Sequence, residues 1–93
     1  MPKPQRLSPA SLTESWPETP STDFAGENAR LFAITLRLAM YGRSVRSVAD
    51  GAGLDEGTIR KILSGSSWPD LRKISLLEDE LKQALWPQYG WRP

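Results

Sequence analysis

Ninety-three residues leave room for one small domain, since domains usually run to about 100–150 residues. Twelve Lys and Arg stand against eleven Asp and Glu, a net charge of +1 that lacks the strongly basic balance of a nucleic-acid binder. With no Cys and no His, the chain can build neither a thiolate nor an imidazole metal site, nor a Ser-His-Asp triad. The carboxylates that remain show no pairing with a shaped site, and we expect no catalysis, no metal and no cofactor. No apolar run approaches 18 residues, and the N-terminus lacks the apolar stretch of a secretion signal, so a cytoplasmic protein without a membrane partner is expected.

Residues 1–23 hold five of the eight prolines among many Ser and Thr. Each Pro removes a backbone donor and biases its predecessor toward extended geometry, and the sparse apolar residues lack a period. This composition predicts a flexible arm, with docking through Leu7, Leu12 and Trp16 as the alternative.

From Asp23 onward the pattern becomes helical. Phe32, Leu36 and Met40 recur at four-residue spacing beside Ala29, Ala33 and Ala39, predicting a helix over 24–41 that stops at Gly42. Leu31, Ile34 and Leu38 widen its apolar surface. Ser44 is a candidate cap for a helix over 45–52, and Asp55 for a helix over 56–64, with Gly53 and Gly65 as their ends. Asp70 is a cap for a longer helix in which Leu71, Ile74, Leu77, Leu81 and Leu85 recur, up to a stop at Trp86-Pro87. No segment alternates like a strand. The domain 24–86 reads as a compact all-α bundle of four to five helices, flanked by the arm 1–23 and an aromatic tail 87–93.

The segment Ser44–Leu63 has a particular geometry. Its two helices are each too short to persist alone, so they must pack together across a turn at Gly53, where glycine suits a positive φ. Ala49 suits a close crossing, while Val48, Ala52, Leu54, Ile59 and Ile62 supply the apolar contacts. That is a helix-turn-helix. Trp68 is expected to pack over the end of the second helix while Pro69 turns the chain into the last one.

With Ala49, Gly53, Ile59, Ile62, Gly65 and Pro69 in these positions, the stretch from Phe32 to Leu85 resembles the Cro/repressor-type helix-turn-helix family, also called Xre-like or lambda-repressor-like. The wording Ser-Val-Arg-Ser-Val-Ala, Gly-Thr-Ile-Arg-Lys-Ile-Leu-Ser-Gly and Trp-Pro-Asp-Leu looks like actinobacterial and actinophage members. The resemblance implies a bundle that binds double-stranded operator DNA in the major groove, commonly as a homodimer. It implies that helix 56–64 is the recognition helix, with Glu56, Gly57, Arg60 and Lys61 facing base edges. Arg can bond guanine at two atoms and Lys can reach the same acceptors, whereas Glu56 either accepts from a cytosine amino group or simply favours the helix N-terminus. Thr58 could bond a phosphate or touch a thymine methyl. Where the family often carries a polar phosphate ligand this chain has Val45, and Arg43, Ser44 and Arg46 beside it are the substitutes. Asp55 reads as the helix cap, and Gly57 as a site of close backbone approach or tight packing.

Blander readings exist for the same residues. Two adjacent cations such as Arg60 and Lys61 are, taken alone, ordinary solvated surface, and the glycines could be plain helix ends. A protein-interaction module on this scaffold, such as an antitoxin or anti-repressor using the arm or the aromatic tail, is the alternative to a transcriptional regulator bound to the nucleoid. Charge separates along the chain in favour of the regulator. Residues 1–29 carry two cations against four acids, 30–73 eight against four, and 74–93 two against three. The motif region is basic and its flanks are acidic.

Overall fold

The computed structural model describes residues 7–87; most of the aromatic tail and the first six residues of the arm lie outside them. A 3₁₀ turn, Pro9–Leu12, precedes four α-helices: α1 (Phe24–Ala39), α2 (Val45–Ala52), α3 (Glu56–Leu63) and α4 (Leu71–Leu81). There is no strand among the described residues.

Each helix starts where a short polar side chain satisfies a free backbone N–H. Asp23 accepts from Gly26, Ser44 from Ser47, Asp55 from Gly57 and Asp70 from Lys73, all at 2.8–3.0 Å. The Lys73 amide holds the Asp70 carboxyl below its ordinary range. Helix α2 ends at Gly53, whose φ of +73° lets its N–H return to the Ala49 carbonyl, and Leu54 donates to the same oxygen at 2.9 Å.

Phe32 and Leu36 of α1 and Met40 just after it, Val48, Ala49 and Ala52 of α2, Ile59, Ile62 and Leu63 of α3, and Leu77 of α4 form one buried cluster. Helix α2 packs on both α3 and α4, while α1 packs on α3 and on the 3₁₀ turn. The Trp86 ring leans on Phe32 with centroids 5.6 Å apart.

Three expectations need correction. The helix expected to reach Leu85 ends at Leu81, because Lys82 turns to φ +57° and its N–H closes on the Glu78 carbonyl. Leu85 is buried all the same, since the Glu78 carboxylate takes the Leu85 amide at 2.7 Å and the Trp86 amide at 3.1 Å and folds the chain back over the core. Helices α1 and α3 also stop one or two residues early, their last turns tightening into Tyr41 N–H to Leu38 and Gly65 N–H to Ile62 bonds.

The second correction concerns the arm. Residues 7–23 are docked rather than flexible. Pro9 is buried, Ala10 N–H donates to the Gly65 carbonyl at 2.9 Å, and Trp16 Nε1 donates to the Leu63 carbonyl at 2.9 Å. Arg30, only 8% exposed, donates to the Pro17 carbonyl at 3.0 Å and makes a two-pronged pair with Glu27 at 2.6 and 2.8 Å. That pairing holds the Glu27 carboxyl below its ordinary value and raises Arg30. Glu27 in turn accepts from the Ser21 amide, so the arm and α1 share one polar knot. Prolines favour such docking because a stiff chain has less entropy to lose.

The third is the cover over α3. Trp16, not Trp68, lies on the end of that helix: Gly65 has φ +73°, and a Cβ there would sit 2.6 Å from the Trp16 indole. Trp68 instead donates from Nε1 to the carbonyl of Leu7, the first described residue of the arm, at 2.7 Å.

Candidate nucleic-acid interface

The pair α2–α3 presents the geometry that its residue pattern predicts. Val48, Ala49, Ile59 and Ile62 are essentially excluded from solvent, Leu54 is half-buried in the turn, and Gly53 supplies the left-handed residue between the helices. Because α3 turns Ile59, Ile62 and Leu63 inward, the positions one helical turn apart on its other side face out. Arg60 and Lys61 are exposed there, with Glu56 and Gly57 half-buried at the start of the helix.

These outward residues are not independent. Arg60 Nη2 donates to Glu56 Oε2 at 3.2 Å, and the other carboxylate oxygen lies 3.9 Å from Arg46 Nε on α2. One carboxylate thus sits between two cations from two helices, and it puts the start of α2 and the start of α3 on one surface. Lys61 makes no ion pair among the described residues. Arg46 and Arg60 are well exposed and Glu56 is partly so, and each pair is weak, worth under about 1 kcal/mol, and readily exchanged for another partner.

The remaining sequence-predicted residues are placed differently. Arg43 is held by its own protein: Nη2 donates to Glu80 Oε2 at 2.9 Å and to the Ser47 carbonyl at 3.1 Å, and Nε donates to the Ser47 hydroxyl at 3.2 Å. Ser44 spends its hydroxyl oxygen on the α2 cap. Thr58 is half-buried, and its amide returns to the Asp55 carbonyl at 3.1 Å. Gly57 has a local explanation, since a Cβ there would lie 2.8 Å from the Asp55 carboxylate that caps the helix.

Glu80 is the residue that sequence reasoning missed. It lies against Gly51, where an added Cβ would overlap its carboxylate, and from there it ties Arg43 to α4. Only the juxtaposition of α2 and α4 reveals it, because no local motif links positions 43, 51 and 80.

Among the described residues, no group of three or more His, Cys, Asp or Glu is placed to hold a metal ion, and no helix is long and apolar enough to cross a membrane. Compared with protein-family models, curated proteins and solved structures, the chain matches none of them.

Proposed function

We propose that this protein is a sequence-specific DNA-binding transcriptional regulator, a repressor or Cro-like protein of the nucleoid, that lays α3 in the major groove. The observation that carries the reading is the common outward surface of α2 and α3, where Arg46, Glu56, Arg60 and Lys61 stand together above a fully packed helix-turn-helix. An α-helix with its side chains is about 10–12 Å across, matching a major groove about 12 Å wide. Arg60 and Lys61 read base edges, and Arg46 and Ser44 take phosphates, joined by Arg43 once it leaves Glu80. The protein works without a cofactor and catalyses no reaction. One module this small reads few bases, so two copies on half-sites about one helical turn apart form the working unit.

The test is selection from random duplex pools across a range of salt, for the native chain and for Arg60→Ala with Lys61→Ala. A steep salt dependence and a defined sequence preference are expected for the native chain, with the preference lost in the double variant. Native protein without duplex affinity at low salt would overturn the reading.

A second reading, a protein-interaction module on the same scaffold, is favoured by one observation: Leu38 and Tyr41 at the end of α1 are 72% and 94% exposed. Exposed large apolar side chains in proximity favour a protein surface over water. Loss of a protein complex in Leu38→Ser with Tyr41→Ser, beside unchanged DNA selection, would assign that surface to a partner and leave α3 to DNA.

A further inference from the structure

Glu56 stands where an acid is costly for a DNA-facing surface. Its carboxylate occupies Arg60 with one oxygen and approaches Arg46 with the other, 3.2 and 3.9 Å away. A carboxylate in this position imitates a phosphate. While it is in place, two of the cations that would attract any DNA backbone are already answered from within the protein.

We propose that Glu56 is a specificity-determining residue, which suppresses attachment to arbitrary duplex and is released by a cytosine amino group in the correct site. The proposal rests on the DNA-binding reading above. On arbitrary sequence, phosphates compete with Glu56 for Arg46 and Arg60, and the displaced carboxylate is left in the negative field of the backbone. On the correct sequence, the cytosine N4 amino group donates to Glu56 in the major groove. The carboxylate then keeps a partner, and both arginines are free for phosphate or guanine. Discrimination here comes from a penalty against the wrong site as much as from a contact with the right one. The exposure of the cluster suits this exchange, since weak pairs in water separate at little cost.

Glu56→Gln keeps the size of the side chain and removes its charge. Sequence selection with this variant should replace a cytosine preference at one position of each half-site by adenine, because Gln pairs with the adenine edge. Its affinity for random duplex should rise about fivefold to tenfold at low salt, with a salt slope steeper by about one to two. Glu80→Gln makes the same change in net charge and frees Arg43, a residue outside α3. It should raise random-duplex affinity while leaving the preferred sequence unchanged. Circular dichroism on both variants checks that the fold is retained.

Native protein that selects a sequence, together with Glu56→Gln that selects the same sequence with the same random-duplex affinity, would overturn the role of Glu56 and leave the DNA reading intact. The same holds if Glu56→Gln and Glu80→Gln behave alike, since charge alone would then account for both. Native protein without duplex affinity would overturn the DNA reading and this inference together.

Discussion

The two ends of α3 are held in opposite ways. At its C-terminal end the last carbonyls are claimed by the docked arm: Trp16 Nε1 takes Leu63, Ala10 takes Gly65, and the Trp16 ring fills the space above Gly65 that any side chain would need. At its N-terminal end and along its outer face, Glu56, Arg60 and Arg46 meet only through exposed, exchangeable pairs. The contrast teaches a division of labour. A helix of eight residues has little stability of its own, so one end must be clamped if the other is to offer charged side chains in a fixed place. Stability is concentrated where the chain is covered, and adjustable charge is left where it is open.

Removing the clamp should have the largest effect on stability. Trp16→Ala deletes the cover over α3 and the bond to Leu63, and should lower the unfolding free energy by about 3 kcal/mol, the low end for a large aromatic because the ring is half-buried. Trp16→Phe, which loses the bond but keeps most of the contact, should cost about 1 kcal/mol. Urea denaturation followed by circular dichroism measures both. Equal losses for the two variants would mean that the bond, not the ring, is the clamp.

Next comes the knot beneath the arm. Glu27→Gln removes the charge that pairs the nearly buried Arg30 guanidinium and turns one of its two carboxylate acceptors into a donor, and should cost about 2 kcal/mol at neutral pH. The sign of the pH dependence follows from the direction of the shift. Because the folded-state Glu27 carboxyl titrates below its ordinary 4.5, its contribution is present above that value and is lost as pH falls through the lower, folded value. Asp70 behaves alike below its ordinary 3.8, so native stability should decline on acidification below about pH 4.5. Glu27→Gln should decline less steeply over the same window, as a paired series of denaturation curves would record.

The open half of this contrast was far more legible from sequence than the clamped half. Ser44, Gly53 and Asp55 act within a few residues of their own positions, through caps and a left-handed turn, and the apolar spacing of α2 and α3 states which sides are buried. Local rules therefore located the helix-turn-helix to within a residue or two. The arm obeys no local rule. Its bond from Trp16 to Leu63 spans 47 residues, and Pro-rich composition argues for mobility unless those partners are already known. The same reason explains α4: Leu85 kept the helical spacing and is buried, yet it reaches the core from a loop that Glu78 folds back. Periodicity reported the burial of Leu85 correctly and its backbone path incorrectly, while Leu71, which opens the same spacing, is 80% exposed. In the candidate site, the outward residues were legible from the pattern, while Glu80 as the partner of Arg43 depended on how α4 crosses α2.

A smaller effect is expected at the turn that joins the two halves. Gly53 is left-handed, but nothing lies within 4 Å of where its Cβ would be, so Gly53→Ala meets conformational strain alone. A loss of about 1 kcal/mol is expected, set by the cost of the left-handed region. Gly65 shares the same φ but has the Trp16 indole in the way, so Gly65→Ala should cost more than Gly53→Ala, and the difference isolates the contribution of the clamp.

The smallest change in stability should come from the open face itself, and there the contrast between the two ends is most exposed to test. Arg60→Ala breaks one exposed pair with Glu56, and Lys61→Ala breaks none among the described residues, so each should alter the unfolding free energy by under about 0.5 kcal/mol. Their effect on duplex binding should be of another order. Losing a base-reading Arg or Lys in the groove should weaken the preferred site by about tenfold or more while hardly changing the melting curve. Trp16→Phe should do the reverse, lowering stability while leaving the preferred sequence in place. If Arg60→Ala instead destabilised the fold as much as the clamp variants do, the outer face of α3 would be part of the scaffold, and a helix braced at both ends would have no free surface to offer a groove.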